Sequence, residues 1–196
     1  MTDTRISLAG VLGNPVAHSR SPRLFRHWLT RYDLAGYYVP IPVAEADLEQ
    51  VVRTLPAMGF AGINVTIPYK EAVLEVADLV TDRATLIGAA NTIIFRRDGK
   101  IHADNTDGYG FIANLQQNAP SWKPDNGPAA VLGAGGAARA VLTSLIEVGV
   151  KEILLSNRTR PRADALRAEF GSRITVVDWV QAGNMLEAAT TVVNTT

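Results

Sequence analysis

The stretch Val131-Leu132-Gly133-Ala134-Gly135-Gly136-Ala137-Ala138-Arg139-Ala140 holds the spacing with the most chemistry in it. An apolar run over 129–132 ends in glycines. It then takes on helical period, with Ala138, Val141, Leu142, Leu145 and Ile146 on one side. Gly133-x-Gly135-x-x-Ala138 is the spacing of a dinucleotide-binding turn. The first glycine permits the turn, the second lets backbone approach a pyrophosphate, and the small third residue packs helix on strand. Unpaired N–H groups and the positive end of the helix dipole then face the phosphates. An NAD site carries an acid roughly 20 residues further on, for the ribose 2′-hydroxyl. Here the corresponding stretch is Asn157-Arg158-Thr159-Arg160-Pro161-Arg162, with three arginines and no acid. Guanidinium groups grip a 2′-phosphate bidentately, so the pattern favours NADP over NAD.

A second set of polar residues lies upstream: Ser19, Ser21, Asn64, Thr66, Lys70, Asn91, Thr106 and Asp107. Each sits at an expected strand end or helix start, where open α/β sheets place ligands. Taken singly, each also has a plain structural use. Ser21 serves as an N-cap, Asn64 and Asn91 as strand-end residues, Lys70 as a surface lysine and Asp107 as a helix cap.

These positions depend on the elements around them. Residues 6–12 read as a buried strand, broken by Gly13-Asn14-Pro15. Ser21-Pro22 combines an N-cap with proline at the first helical position, starting a helix towards Tyr32. Its apolar side carries Leu24, Phe25, Trp28 and Leu29. A second strand over 37–43 contains two prolines, which argues for a sheet edge. Helices are expected over 45–58, stopped by Gly59, and over 70–79, with a strand over 62–66 between them. A further helix capped by Thr81-Asp82 runs through Leu86. A hairpin follows, with arms 92–96 and 100–103 and a two-residue turn at Asp98-Gly99. A helix over 108–117 connects to a proline-rich linker at 119–128.

From there the pattern is β-α-β-α-β, which implies a parallel sheet with right-handed crossovers. The fourth strand begins at 191–194, whereas a doubly wound dinucleotide domain has about six. The expected fold is therefore an N-terminal α/β substrate-binding domain at 1–106 and a connecting helix and linker at 107–128. A Rossmann-type dinucleotide domain follows at 129–196, apparently truncated.

Composition narrows the function classes. Nineteen basic residues balance nineteen acidic ones, leaving no global field for nucleic acid or an anionic membrane. The chain has no cysteine, which removes disulfides, thiolate zinc sites and a cysteine nucleophile. Asp3 and Arg5 precede a short apolar run broken by Gly10, which suits a first strand and not a signal peptide. No apolar run approaches the ~20 residues of a membrane span, so a cytoplasmic protein is expected. His18, His27 and His102 lack metal-ligand spacing, and neither Tyr-x-x-x-Lys nor Gly-x-Ser-x-Gly occurs. No metal is expected.

Taken together, the upstream segments carry a resemblance. Asn14-Pro15-Val16-Ala17-His18-Ser19-Arg20-Ser21-Pro22, Asn64-Val65-Thr66-Ile67-Pro68-Tyr69-Lys70, Gly88-Ala89-Ala90-Asn91-Thr92, Asn105-Thr106-Asp107-Gly108 and Asn157-Arg158-Thr159 closely resemble the shikimate dehydrogenases, in order and spacing. The Gly-Ala-Gly-Gly-Ala turn belongs to the same pattern, and the resemblance spans essentially the whole chain. It implies NADPH-dependent reduction of 3-dehydroshikimate to shikimate in aromatic amino-acid biosynthesis. It implies that Ser19 and Ser21 bind the substrate carboxylate, that Asn64, Thr66, Asn91, Thr106 and Asp107 serve the rest of the substrate, and that Lys70 and Asp107 are the catalytic pair. Cofactor contacts would come from Asp82, Gly133, Ala134, Gly135, Gly136, Ala137, Asn157, Arg158, Thr159, Arg162, Asn194 and Thr195. The expected partner is a small molecule, in a monomer or homodimer.

The chemistry is coherent with those roles. Hydride delivery to a ketone builds negative charge on oxygen, which a lysine ammonium stabilises and then protonates. Two serine hydroxyls at a helix N-terminus hold an anion without a buried arginine. The departure from the family is at the C-terminus. Family members run on past Asn194-Thr195-Thr196 through a loop around the nicotinamide, complete the sheet and return a helix bearing a substrate-binding glutamine. The activity is therefore expected of the intact protein. Two rival readings remain, a quinate/shikimate dehydrogenase of wider specificity and a non-catalytic NADPH-binding module.

Overall fold

A computed structural model describes residues 6–196; residues 1–5, which hold Asp3, Arg5 and the start of the expected first domain, lie outside the described residues. The chain divides into two units between residues 105 and 106.

The first unit runs β1 (Ser7–Gly13), α1 (Ser21–Arg31), β2 (Gly36–Pro42), α2 (Leu48–Thr54), β3 (Phe60–Val65), α3 (Val73–Val76), β4 (Leu79–Val80), α4 (Asp82–Ile87), β5 (Thr92–Phe95) and β6 (Ile101–Asp104). Its mixed sheet has the order β2-β1-β3-β5-β6-β4. β1 pairs parallel with β2 and β3, while β5 runs antiparallel to β3 and β6. β2 lies at the edge, where the N–H groups missing from Pro40 and Pro42 cost little. Leu12, Ile63, Val65 and Ile93 form the core with Leu48 and Val52 of α2 and Val73 and Val76 of α3. Each such buried side chain contributes roughly 1.5–3 kcal/mol. A smaller cluster joins Val11, Val16 and Tyr38 to Phe25 of α1.

Several expectations change here. α1 begins at Ser21 itself with Arg20 as its cap residue, and the Ser19 hydroxyl accepts the Ser21 N–H at 3.3 Å. Ser21 is thus the first helical residue and not the N-cap. Of the apolar side of α1, Phe25 and Leu29 turn inward, but Leu24 and Trp28 are 46% and 42% exposed. The helix expected over 45–58 is α-helical only in α2, with tighter 3₁₀ turns at Glu45–Asp47 and Leu55–Met58. Pro56 has no N–H to continue the α pattern.

The helix expected over 70–79 shrinks to α3, and residues 79–80 form β4 instead. Long-range bonds decide that: the Asp78 carboxylate accepts the Ile101 N–H at 2.7 Å, and the Asp78 N–H donates to the Ile101 carbonyl at 2.9 Å. The hairpin turn spans three residues, 97–99. Gly99 donates to the Arg96 carbonyl and alone takes positive φ, the type I turn plus bulge arrangement.

The second unit runs α5 (Asp107–Asn118), β7 (Ala129–Leu132), α6 (Gly136–Glu147), β8 (Ile153–Ser156), α7 (Arg160–Phe170), β9 (Ile174–Val176), α8 (Ala182–Ala188) and β10 (Thr191–Asn194). All four strands are parallel in the order β10-β7-β8-β9. The chain therefore steps outward from β7 in one direction and returns to its other side at β10. That reversal makes the carboxyl ends of β7 and β10 a topological switch point. The helix expected as a connection is part of this unit, because Gly108 of α5 lies close against Ala140 and Ser144 of α6, where a Cβ would collide. The expected linker is tied down as well, since the Trp122 indole donates to the Thr191 hydroxyl at 2.9 Å.

Candidate functional site

In the first unit the polar residues gather at strand ends through a chain of hydrogen bonds. Asn64, next to last in β3, has both ends of its amide engaged. Its Oδ1 accepts from the Tyr38 hydroxyl at 2.7 Å, and its Nδ2 donates to the Asn91 carbonyl at 3.2 Å and the Thr92 hydroxyl at 3.3 Å. Thr92 in turn donates to Asn91 Oδ1 at 2.9 Å. The Tyr38 ring stacks on Phe25 of α1, with centroids 3.9 Å apart and planes 10° from parallel. The Ser21 hydroxyl lies close enough to the Tyr38 phenol to act on its titration. Burial pushes the Tyr38 phenol up to about 12, against a smaller downward pull from Ser21. It stays a neutral donor at physiological pH.

Asn64 and Asn91 thus share one network, and Ser21, bonded through its N–H to Ser19, lies beside the Tyr38 end of it. Tyr38 joins them, and it was not among the residues singled out from sequence. The available signal was a pair of adjacent tyrosines on an edge strand, of which alternation buries one, and a buried hydroxyl must find a partner.

Thr66 and Lys70 sit on the loop after β3. Their position follows from Tyr69, which is buried and donates from its hydroxyl to the Val43 carbonyl at 2.6 Å. The Lys70 carbonyl accepts the Ala90 N–H at 2.7 Å, which ties this loop to the segment bearing Asn91.

The end of β6 is anchored by Asp104. Its carboxylate accepts from the Thr81 hydroxyl at 2.8 Å, from Arg83 at 3.2 and 2.6 Å, and from the Asn105 N–H at 2.7 Å. Burial alone would raise this carboxyl, but the bonds from Arg83, Thr81 and Asn105 together hold it below the usual carboxylate range. Asn105 is fully buried and donates to the Ala89 carbonyl at 2.8 Å. Asp82 opens α4 behind Thr81, whose hydroxyl caps the Ala84 N–H at 3.1 Å.

Thr106 and Asp107 fall in the second unit, as the cap residue and first residue of α5. A carboxylate in the first turn is favoured by the helix dipole.

The second unit's site is made of backbone. Gly133 has φ +106°, a left-handed value that favours glycine, and a side chain there would strike Thr195. Thr195 is fixed by its N–H and hydroxyl, both donating to the Leu132 carbonyl at 2.8 and 2.7 Å. Gly135 differs. Its backbone is extended, which any residue adopts, and no atom lies within 4 Å of where its Cβ would be. Protein packing does not require glycine there. The missing side chain leaves open space at the N-terminus of α6, beside Gly136 and Ala137, where unpaired N–H groups suit an anion. Ala138, fully buried, packs the helix on the sheet.

The arginines sort themselves by partner. Arg139 pairs with Glu169 and lies over the Phe170 ring, 5.6 Å from its centroid. Arg160, counted from sequence among the phosphate-binding cations, is held by Asp178 and by Asp164 at 3.5 Å. Arg158 and Arg162 are exposed, and among the described residues neither guanidinium has an ion-pair or hydrogen-bond partner. Asn157 shapes the turn between them by donating to the Thr159 carbonyl at 2.8 Å. Asn194, at the end of β10, pairs in register with Leu132 beside the glycine turn. Among the described residues no group of His, Cys, Asp or Glu is arranged to hold a metal ion.

Comparison with known proteins matches both halves of the chain. Residues 11–93 match the shikimate dehydrogenase substrate binding domain, and residues 116–196 match the shikimate / quinate 5-dehydrogenase family. A shikimate dehydrogenase (NADP(+)) of Cereibacter sphaeroides is 69% identical over 192 residues, which cover 98% of this chain and 69% of that protein. Among solved structures, a shikimate dehydrogenase from Aquifex aeolicus superposes with a TM-score of 0.89 at 34% identity, covering 100% of this chain and 71% of the other. A quinate dehydrogenase from Corynebacterium glutamicum in complex with NAD gives 0.85 at 30% identity, covering 96% and 70%.

Proposed function

The chain belongs to the shikimate dehydrogenase family, and from that premise we propose how its own residues divide the work of an NADP-dependent oxidoreductase acting on a CH–OH group. The reaction is the reversible reduction of 3-dehydroshikimate to shikimate, a step of aromatic amino-acid biosynthesis.

Ser19 and Ser21 take the substrate carboxylate at the start of α1. Asn64, Thr66, Asn91, Thr106 and Asp107 take its hydroxyls. The amide of Asn64 already gives its hydrogens to Asn91 and Thr92, so a substrate hydroxyl donates to the remaining lone pair of Oδ1. Lys70 stabilises the oxygen that gains negative charge and delivers the proton to it; in the oxidative direction it accepts that proton. Asp107, the other member of the catalytic pair, orients a substrate hydroxyl. The nicotinamide cofactor, when bound, supplies or removes the hydride. The open space at Gly135, with the N–H groups of Gly136 and Ala137, fits its pyrophosphate beside Gly133 and Ala134. Arg158 and Arg162, with Asn157 and Thr159 shaping the turn, fit the 2′-phosphate, and Asp82, Asn194 and Thr195 complete the contacts.

The observation that carries the substrate assignment is the network Tyr38–Asn64–Asn91–Thr92, with the Ser21 hydroxyl beside Tyr38, which brings a group suited to a carboxylate near two suited to hydroxyls. Likeness to an NAD-bound quinate dehydrogenase favours a second reading, an enzyme of wider specificity. Against NAD stand the unpaired Arg158 and Arg162 and the lack of an acid at the end of β8. A non-catalytic NADPH-binding module leaves Lys70 and Asp107 without a use. No described helix is long and apolar enough to cross a membrane, and the charge balance gives no basis for nucleic-acid binding. We place the enzyme in the cytoplasm, where its small-molecule substrate and cofactor are found, as a monomer or homodimer.

The test is a rate matrix in the full-length protein, with shikimate or quinate against NADP or NAD. Shikimate with NADP is expected to give the highest kcat/KM by at least about tenfold, a difference of ~1.4 kcal/mol. Equal rates with quinate would establish the wider-specificity reading. No turnover with either substrate would establish the binding module.

A further inference from the structure

Residues 4–32 contain five arginines and no acid, in a chain whose net charge is zero. Four of them, Arg20, Arg23, Arg26 and Arg31, lie on or immediately before α1. All four are exposed, and among the described residues no guanidinium of theirs has an ion-pair or hydrogen-bond partner. Elsewhere in this unit Arg53, Arg83 and Arg96 are each paired with a carboxylate, while Arg97 stands alone in the hairpin turn. The placement is also unfavourable for the helix. Arg23 stands in a first turn that has no acid, where a cation opposes the dipole. Cations kept unpaired in a position that weakens their own helix call for a role outside folding. The same helix start carries Ser19 and Ser21.

We propose that the arginines of the α1 segment, Arg20 and Arg23 foremost, form an attracting field that selects anionic substrates for the Ser19 and Ser21 site. The inference rests on the reading that those two serines hold the substrate carboxylate. The arginines raise the local concentration of the anion without touching it in the bound state. Distance along the helix sets their ranking. Each residue advances about 1.5 Å, so Arg31 lies roughly 15 Å along the axis from Ser21. That is beyond the ~8 Å screening length at physiological ionic strength, whereas Arg20 and Arg23 fall within it. Arg26 is further offset by Asp33, which lines the same surface groove between α1 and β2. The order of influence is therefore Arg20 and Arg23, then Arg26, then Arg31.

The experiment measures kcat and KM for shikimate at saturating NADP, in the full-length protein, between about 20 mM and 500 mM salt. Wild type, the single Arg→Gln variants and the fourfold variant are compared on shikimate and on its uncharged methyl ester. Wild-type KM for shikimate is expected to rise about threefold with salt. The fourfold variant starts near the high-salt value and stays flat, with kcat unchanged, and neither chain shows salt dependence with the ester. The single variants follow the order above. A fourfold variant with wild-type KM and salt dependence overturns the proposal. So does an equal change in KM for the ester, which marks a structural effect. Ser21→Ala, measured alongside, separates the two levels. If it leaves KM for shikimate unchanged at every salt concentration, the carboxylate reading fails, and the field proposal with it. If Ser21→Ala raises KM while the arginine variants do nothing, only the field proposal fails.

Discussion

On the proposed assignment, the two units hold their small molecules by different means. In the first, the candidate site is made of side chains hydrogen-bonded to one another: Tyr38 to Asn64, and Asn64 to Asn91 and Thr92. In the second, the candidate site is made of backbone and empty space at Gly135, with Arg158 and Arg162 lacking a side-chain partner among the described residues. A dinucleotide offers the same phosphates wherever it binds, and exposed N–H groups at a helix start suffice for them. A ring with a carboxylate and several hydroxyls has to be read one group at a time. Selecting it needs donors and acceptors fixed in advance, which is what a closed hydrogen-bond network supplies.

The contrast can be broken at its sharpest point by adding a side chain to the backbone site. A Cβ at position 135 has no protein atom within 4 Å beyond its chain neighbours, so for Gly135→Val thermal stability is expected to change by no more than a few degrees. NADP affinity, measured by titration calorimetry, is expected to fall by at least about 100-fold, or ~2.7 kcal/mol. Equal loss of stability and affinity would show that Gly135 serves packing.

Next in size is the double change Arg158→Ala with Arg162→Ala. Hydrogen bonds to charged groups are worth about 1.5–3 kcal/mol, so the preference for NADP over NAD is expected to drop ten- to a hundredfold. The KM for NAD stays where it was. Arg160→Ala is the control, since its guanidinium is already occupied by Asp164 and Asp178.

The smallest effect belongs to the first unit. Tyr38→Phe keeps the stacking on Phe25 and removes the hydroxyl that fixes Asn64. A lost hydrogen bond of about 1 kcal/mol predicts a KM for shikimate raised about fivefold, with NADP affinity unchanged. The substitution also has a pH signature. The phenol is raised from 10.0 in the unfolded chain to about 12 in the folded one, so the folded state binds more protons between those values. Stability that is complete below pH 10 is lost as pH rises towards 12. Tyr38→Phe, which has nothing to titrate there, is expected to show a shallower decline in Tm over that interval.

The same difference decides how much the sequence revealed. The backbone site was legible because its signals are local. Gly133, Gly135 and Ala138 lie within six residues, and the strand before them and the helix after them announce themselves by period. The parallel order of β7 to β9 follows from alternating elements. The side-chain site was legible only in part. Asn64 and Asn91 stood out at strand ends, but Tyr38 finds its partner 26 residues away, beyond any spacing rule. Residues 70–79 looked helical for a related reason. Nothing nearby signals that Asp78 will bond Ile101 or that Tyr69 will reach Val43, and those two contacts stop the helix and fix the loop that carries Lys70. Arg160 shows the same limit from the other side, as a cation that looked available until α7 and the Asp178 loop folded against it.

The central claim is that Lys70 of the first unit performs the proton transfer while the glycine turn of the second unit binds the cofactor. Lys70→Ala in the full-length protein tests it most directly, with shikimate-dependent NADP reduction and the NADPH dissociation constant measured on the same preparation. The account predicts a fall in kcat of about 10²–10⁴-fold, with the dissociation constant within about twofold of wild type. Turnover near the wild-type rate, or a loss of NADPH affinity that matches the loss of turnover, would contradict it.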